Sequence, residues 1–70
     1  MKEYIANNVY TLRSKKDLTQ EEFAQKVDVS RQTIIAIERG NYTPSVLLAL
    51  KIAQVFNVAV EEIFTIKYEK

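Results

Sequence analysis

The sequence predicts an all-α domain of five short helices followed by an extended tail, and three observations carry that expectation. Gly and Pro occur once each in 70 residues, too few for a turn-rich all-β chain and suited to helices joined by short connections. Apolar residues recur at spacings of three and four, the period of a helix with one buried face. Thr19 and Ser30, both able to cap a helix start, stand immediately before two of these periodic stretches.

The first helix is expected over Ile5 to Lys16, with Ile5, Val9, Leu12 and the stem of Lys16 on its core face. Lys15 and Lys16 fall in the last turn, where the helix dipole favours cations, and Asp17 follows as a left-handed closing residue. Thr19-Gln20-Glu21-Glu22 reads as a capping box, so a second helix starts at Gln20, turns Phe23, Ala24 and Val27 inward, and stops by Asp28. Ser30 caps a third helix, Arg31 to Arg39, with Ile34 and Ile37 inward and the only glycine, Gly40, at its end. A link as short as Asp28-Val29-Ser30 forces helices two and three into a sharp crossing, the spacing of a helix-turn-helix. Pro44 with Ser45 opens a fourth helix through Phe56, apolar nearly all round, which Asn57 closes. Val60 to Phe64 is expected as a short fifth helix, and Thr65 to Lys70 alternates polar and apolar residues with the period of a strand. The domain is thus placed at residues 5–64 and the tail at 65–70.

Composition narrows function. Ten Lys+Arg against nine Asp+Glu leave a net charge of +1, so anion binding must come from local placement of charge. With no Cys and no His, a disulfide framework is excluded, the usual zinc ligands are missing, and no nucleophile with its base is visible. No enzyme, metal, cofactor or small-molecule ligand is therefore expected. The longest apolar run, Val46 to Leu50, is far short of the roughly 20 residues of a bilayer span, and Met1-Lys2-Glu3 opens no secretory signal. The expectation is a soluble cytoplasmic protein.

Val9 to Phe64 resembles the Cro/C1 repressor family, the XRE-type helix-turn-helix. The resemblance rests on Val9-x-x-Leu12-Arg13, Leu18-Thr19-Gln20-Glu21-Glu22-Phe23-Ala24, Val29-Ser30-Arg31-Gln32-Thr33-Ile34, Ile37-Glu38-Arg39-Gly40, Pro44-Ser45, Leu50-x-Ile52-Ala53 and Ile63-Phe64. It implies a compact five-helix, lambda-repressor-like domain whose third helix enters the DNA major groove, usually as a dimer. Asp17, Asp28 and Asn57 stand where the family usually has Gly, and all three tolerate positive φ better than other non-Gly residues. Ala59 replaces a common Ser or Thr cap, and Leu47 a common charged residue.

On this resemblance the base-reading residues are Arg31, Gln32, Ile35 and Ala36. Arg31 suits guanine O6 and N7, Gln32 suits adenine N6 and N7, and Ala36 suits a thymine methyl; Ile35 is either a thymine or sugar contact or simply an exposed apolar residue. Phosphate contacts are expected from Thr19, Gln20, Ser30, Thr33, Arg39, Asn41, Tyr42 and Thr43. Thr19 and Ser30 also read as caps alone, and Tyr42 also as loop packing. The resemblance further implies that Arg13 and Glu38 pair and fix the angle between two helices.

Half-sites one helical turn apart are read by a two-fold dimer. The candidate dimer surface is Leu47, Val55, Val60, Phe64, Ile66 and Tyr68, with the tail adding a strand either to Lys2–Ile5 or to its mate in a second chain. The expected function is a sequence-specific DNA-binding transcriptional regulator, a repressor type acting as a homodimer on a pseudo-palindromic operator. The other class compatible with these residues is an antitoxin-like protein-interaction module with a protein partner.

Overall fold

The computed structural model describes residues 2–69, and its helices start where the chain offers a side-chain acceptor to orphan amides. Thr19 Oγ1 accepts from the Glu22 amide (3.0 Å) while the Glu22 carboxylate accepts from the Thr19 amide (2.8 Å), opening a helix over Gln20–Lys26. Ser30 Oγ accepts from the Thr33 amide at the head of Arg31–Glu38, and Ser45 Oγ from the Leu48 amide at the head of Val46–Phe56. With Val9–Lys15 these make four helices: α1 (Val9–Lys15), α2 (Gln20–Lys26), α3 (Arg31–Glu38) and α4 (Val46–Phe56).

All four helices end alike. Asp17, Asp28, Gly40 and Asn57 adopt φ of 55°, 62°, 78° and 55°. The next amide then reaches back to a carbonyl of the last turn: Leu18 to Arg13, Val29 to Ala24, Asn41 to Ala36 and Val58 to Ala53. This closure satisfies carbonyls that would otherwise be orphaned, and an apolar residue just past the left-handed one commonly anchors it. Leu18, Val29 and Val58 do so, packing against the core. The fourth such residue, Asn41, is polar and exposed.

The core is one cluster: Val9, Phe23, Ala24, Val27, Ile34, Ile37, Leu48, Ile52, Ala53, Phe56 and Ile63. Phe23 and Phe56 stack with centroids 5.0 Å apart and an interplanar angle of 22°, a geometry worth about 0.5 to 1.5 kcal/mol beyond area burial.

Two sequence expectations are corrected. Residues Lys2–Asn7 form a strand, β1, so α1 begins at Val9 and Ile5 lies outside it. The strand pairs antiparallel with β2 (Phe64–Glu69), from Lys2 opposite Glu69 to Asn7 opposite Phe64, and gives Ile5 a cross-strand neighbour in Ile66. Asn7 and Asn8 break the helical period. Asn7 Oδ1 accepts from the Val9 amide (3.0 Å), and the Asn8 amide donates to the Ile63 carbonyl (2.9 Å), side-chain and tertiary bonds that compete with a helical turn. Lys16, expected to lay its stem on the core, is exposed.

The second correction concerns the count of helices. Val60–Glu62 is a single 3-10 turn, not a fifth α-helix. Ala59 has no side-chain acceptor, so only the reverse half of a capping box remains, the Ala59 amide donating to Glu62 Oε2 (3.1 Å), and Phe64 already belongs to β2. The tail is thus the second strand of a small ribbon, with its last expected residue, Lys70, outside the described residues. No helix among the described residues is long and apolar enough to cross a membrane.

Candidate nucleic-acid interface

The site is built on α3, because the chain hides one side of this helix and leaves the other bare. Ile34 and Ile37 are fully buried, Thr33, Ile35 and Ala36 half-buried, and Arg31 and Gln32 exposed at the leading end. That end carries the free amides of the first turn, which favour anions. α2 packs against α3 across the tight Asp28 turn, so the orientation of α3 follows that of the core.

A second constraint holds the trailing end. Glu38 receives Arg13 Nε at 2.7 Å and Arg13 Nη2 at 3.3 Å, and the same carboxylate accepts from Gln20 Nε2 at 3.1 Å. Arg13 Nη1 donates to the Leu18 carbonyl at 2.8 Å. The two charged side chains are only 11% and 7% exposed, so this cluster ties α1, α2 and α3 together in a setting of reduced dielectric. The Glu38 hydrogen bond raises the Arg13 pKa above its already high ordinary value. On the other side of α3, Asn7 Nδ2 donates to the Ile37 carbonyl at 2.8 Å. The helix is clamped from the first helix and from the ribbon.

Glu38 is neutralised by this pairing. Arg13 and Glu38 form the only ion pair among the described residues, which leaves Arg31 and Arg39 without carboxylate partners there. Tyr10, Gln20, Arg31, Ile35, Glu38 and Arg39 line one surface depression. Sequence reasoning missed Tyr10. Its ring is 62% exposed and the Arg13 guanidinium lies 5.3 Å from its centroid. The available signal was an aromatic residue three positions before Arg13, the spacing of neighbours on one helix face.

The other candidates fall into two groups. Thr19 and Ser30 have their hydroxyls engaged in caps, Thr33 Oγ1 shares a hydrogen bond with Ser30 Oγ at 3.1 Å, and Gln20 is engaged with Glu38. Arg39, Asn41, Tyr42 and Thr43 are exposed, on the one helix exit that lacks an apolar anchor. The candidate dimer residues border several surface depressions. Leu47, 66% exposed, faces a depression shared with Thr33, Tyr42 and Lys51; Val55 lies near Lys16 and Lys26; Val60 lies beside Leu50; Phe64 and Ile66 line a cleft with Tyr42 and Pro44. Tyr68, 58% exposed, stands opposite Glu3 farther along the ribbon.

Comparison with known proteins fits this geometry. Residues 9–63 match the helix-turn-helix family. The uncharacterized HTH-type transcriptional regulator MJ0272 of Methanocaldococcus jannaschii is 55% identical over 58 residues, covering 83% of this chain and 88% of that protein. The uncharacterized HTH-type transcriptional regulator YgzD of Bacillus subtilis is 44% identical over 63 residues, covering 90% of this chain and 96% of its own length. Among solved structures, the restriction-modification controller protein C.AhdI from Aeromonas hydrophila superposes with a TM-score of 0.71 at 30% identity, covering 77% of this chain and 82% of that one.

Proposed function

Since the chain belongs to the Cro/C1-type helix-turn-helix family, we propose that it regulates transcription by seating α3 in the major groove of an operator. The observation that supports this most is the bare leading end of α3: Arg31 and Gln32 exposed over a fully buried Ile34 and Ile37. Arg31 reads guanine through O6 and N7, Gln32 reads adenine through N6 and N7, and Ile35 and Ala36 meet thymine methyls at the groove floor. Arg39, Asn41, Tyr42 and Thr43 grip the phosphate backbone, joined by the amides at the starts of α2 and α3 beside Thr19, Gln20, Ser30 and Thr33.

One copy offers few cations to phosphate, and affinity at cellular salt rises with the number of phosphates neutralised. The protein therefore acts in the cytoplasm as a homodimer on a pseudo-palindromic site, with half-sites about 34 to 36 Å apart. It represses where that site overlaps a promoter. Selection of bound sequences from random duplexes at two salt concentrations tests this reading. The expected product is a two-fold motif with a G beside an A in each half-site and a binding constant that falls steeply with salt. Material that selects no motif and binds no duplex in dilute buffer would overturn it.

A further inference from the structure

Tyr10 stands among the residues assigned to DNA contact without being one of them. It is the second residue of α1 and, at 62%, the most exposed of the four tyrosines. Its ring shares one depression with Gln20, Arg31, Ile35 and Arg39. Arg31, Ile35 and Arg39 recur every fourth residue along one side of α3 and its closing residue. At about 1.5 Å of rise per residue, the backbones of the two arginines lie about 12 Å apart along the axis. One DNA strand carries a phosphate about every 3.4 Å, so a strand passing along this side of α3 sets several phosphates against the interval between them. Ile35, in the middle, offers those phosphates no donor. The phenol of Tyr10, reaching across from α1, does.

The charge and the rigidity of the surroundings suit that role. Glu38, the one carboxylate lining the depression, is held by Arg13 at 2.7 Å, so little repulsion remains for an approaching phosphate. The Arg13 guanidinium lies over the Tyr10 ring at 5.3 Å from its centroid, within cation–π range, and is itself fixed by bonds to Glu38 and to the Leu18 carbonyl. A side chain resting on an immobile support loses less rotamer freedom when a partner docks.

We propose that Tyr10 is a further DNA-contacting residue, its hydroxyl donating to a phosphate oxygen of the strand that passes between Arg31 and Arg39 at the level of Ile35. The inference rests on the regulator reading of the preceding section and adds α1 to the elements that touch DNA. A hydroxyl donor brings no charge, so it strengthens binding without releasing a further counterion, and it leaves base preference untouched because every sequence carries the same phosphates. A purely structural ring, shielding the Arg13–Glu38 pair, would act through stability instead. Tyr10→Phe separates the two roles, since it keeps the ring and its place beside Arg13 and removes only the hydroxyl.

Thermal unfolding and binding to the selected duplex across a series of salt concentrations supply the test. Tyr10→Phe should melt within about 2 °C of the native chain and select the same motif. It should bind every duplex about tenfold more weakly per half-site, with an unchanged slope of log affinity against log salt. Duplexes in which one phosphate at a time is replaced by an uncharged methylphosphonate then locate the contact: at one position in each half-site the native chain and Tyr10→Phe should differ by less than about threefold. Three results overturn the contact and leave the regulator reading standing: Tyr10→Phe binding as tightly as the native chain, a melting temperature lowered by more than about 4 °C alongside the weaker binding, or an undiminished deficit at every methylphosphonate position. A native chain that binds no duplex overturns both.

Discussion

Replacing Glu38 with Ala removes the acceptor shared by Arg13 and Gln20, and the structure sets the size of the effect. Stripping one member from a buried ion pair costs about 3 to 5 kcal/mol, because the other charge is left unpaired out of water. Arg13 is spared part of that, keeping its bond to the Leu18 carbonyl at 2.8 Å and some solvent contact at 11% exposure. The expected loss is about 2 to 3 kcal/mol, which for a domain of this size lowers the melting temperature by about 10 to 20 °C. Glu38→Gln, which keeps an acceptor, should lose less. Thermal unfolding followed by circular dichroism supplies the first readout, and a double-mutant cycle with Arg13→Ala the second: the two losses should fall short of additivity by at least about 1 kcal/mol. Binding to the selected duplex supplies the third, since α3 freed from α1 no longer holds its angle. A melting temperature lowered by less than about 4 °C together with additive losses would refute the reasoning that this cluster holds the reading helix.

Arg31→Ala should relax base preference at one position of each half-site by about 1 to 3 kcal/mol, while Arg39→Ala should weaken all duplexes alike and flatten the salt dependence, both read in the same binding assay. Asp28→Gly relieves a side chain held at φ 62° and should raise stability by up to about 1 kcal/mol, whereas Gly40→Ala, placed in open space but at φ 78°, should lower it by about 1 kcal/mol through backbone strain alone. Chemical denaturation separates these two signs. The Thr19 amide and hydroxyl hold the Glu22 carboxyl below its ordinary pKa of 4.5, so its contribution is complete above that pH and fades as pH falls through the lower folded value. The melting temperature of the native protein should accordingly drop more steeply below about pH 4.5 than that of Glu22→Gln.

Local chemistry made most of the helical frame legible. A Thr three residues before a Glu, a Ser before an apolar period, and Asp, Gly or Asn where a left-handed residue must follow are signals complete within six residues, and all four helix ends close as those residues dictate. The ribbon was legible only in half. Ile5 sits four residues before Val9, a spacing that fits a helix, and what makes it a strand residue is Ile66 at the far end of the chain. The fifth helix failed for want of a cap at Ala59. At the interface, the exposure of Arg31 and Gln32 follows from the period of Ile34 and Ile37. The position of Tyr10 beside Arg31 and Arg39 depends on how α1 crosses α3, a tertiary fact with no short-range signature, and so does the meeting of Gln20 with Glu38.

The pairing of Lys2 with Glu69 brings the two extremities of the described chain side by side, so the backbone nearly closes on itself. A short peptide joining them would demand little rearrangement of the native state, while denying the denatured chain most of its end-to-end freedom. For a ring of this circumference the entropic gain is about 4 kcal/mol, more than the loss expected from Glu38→Ala. A circularised version should therefore be markedly more heat-resistant, and new ends could be cut into an exposed connection such as the one around Asn41 without undoing the core.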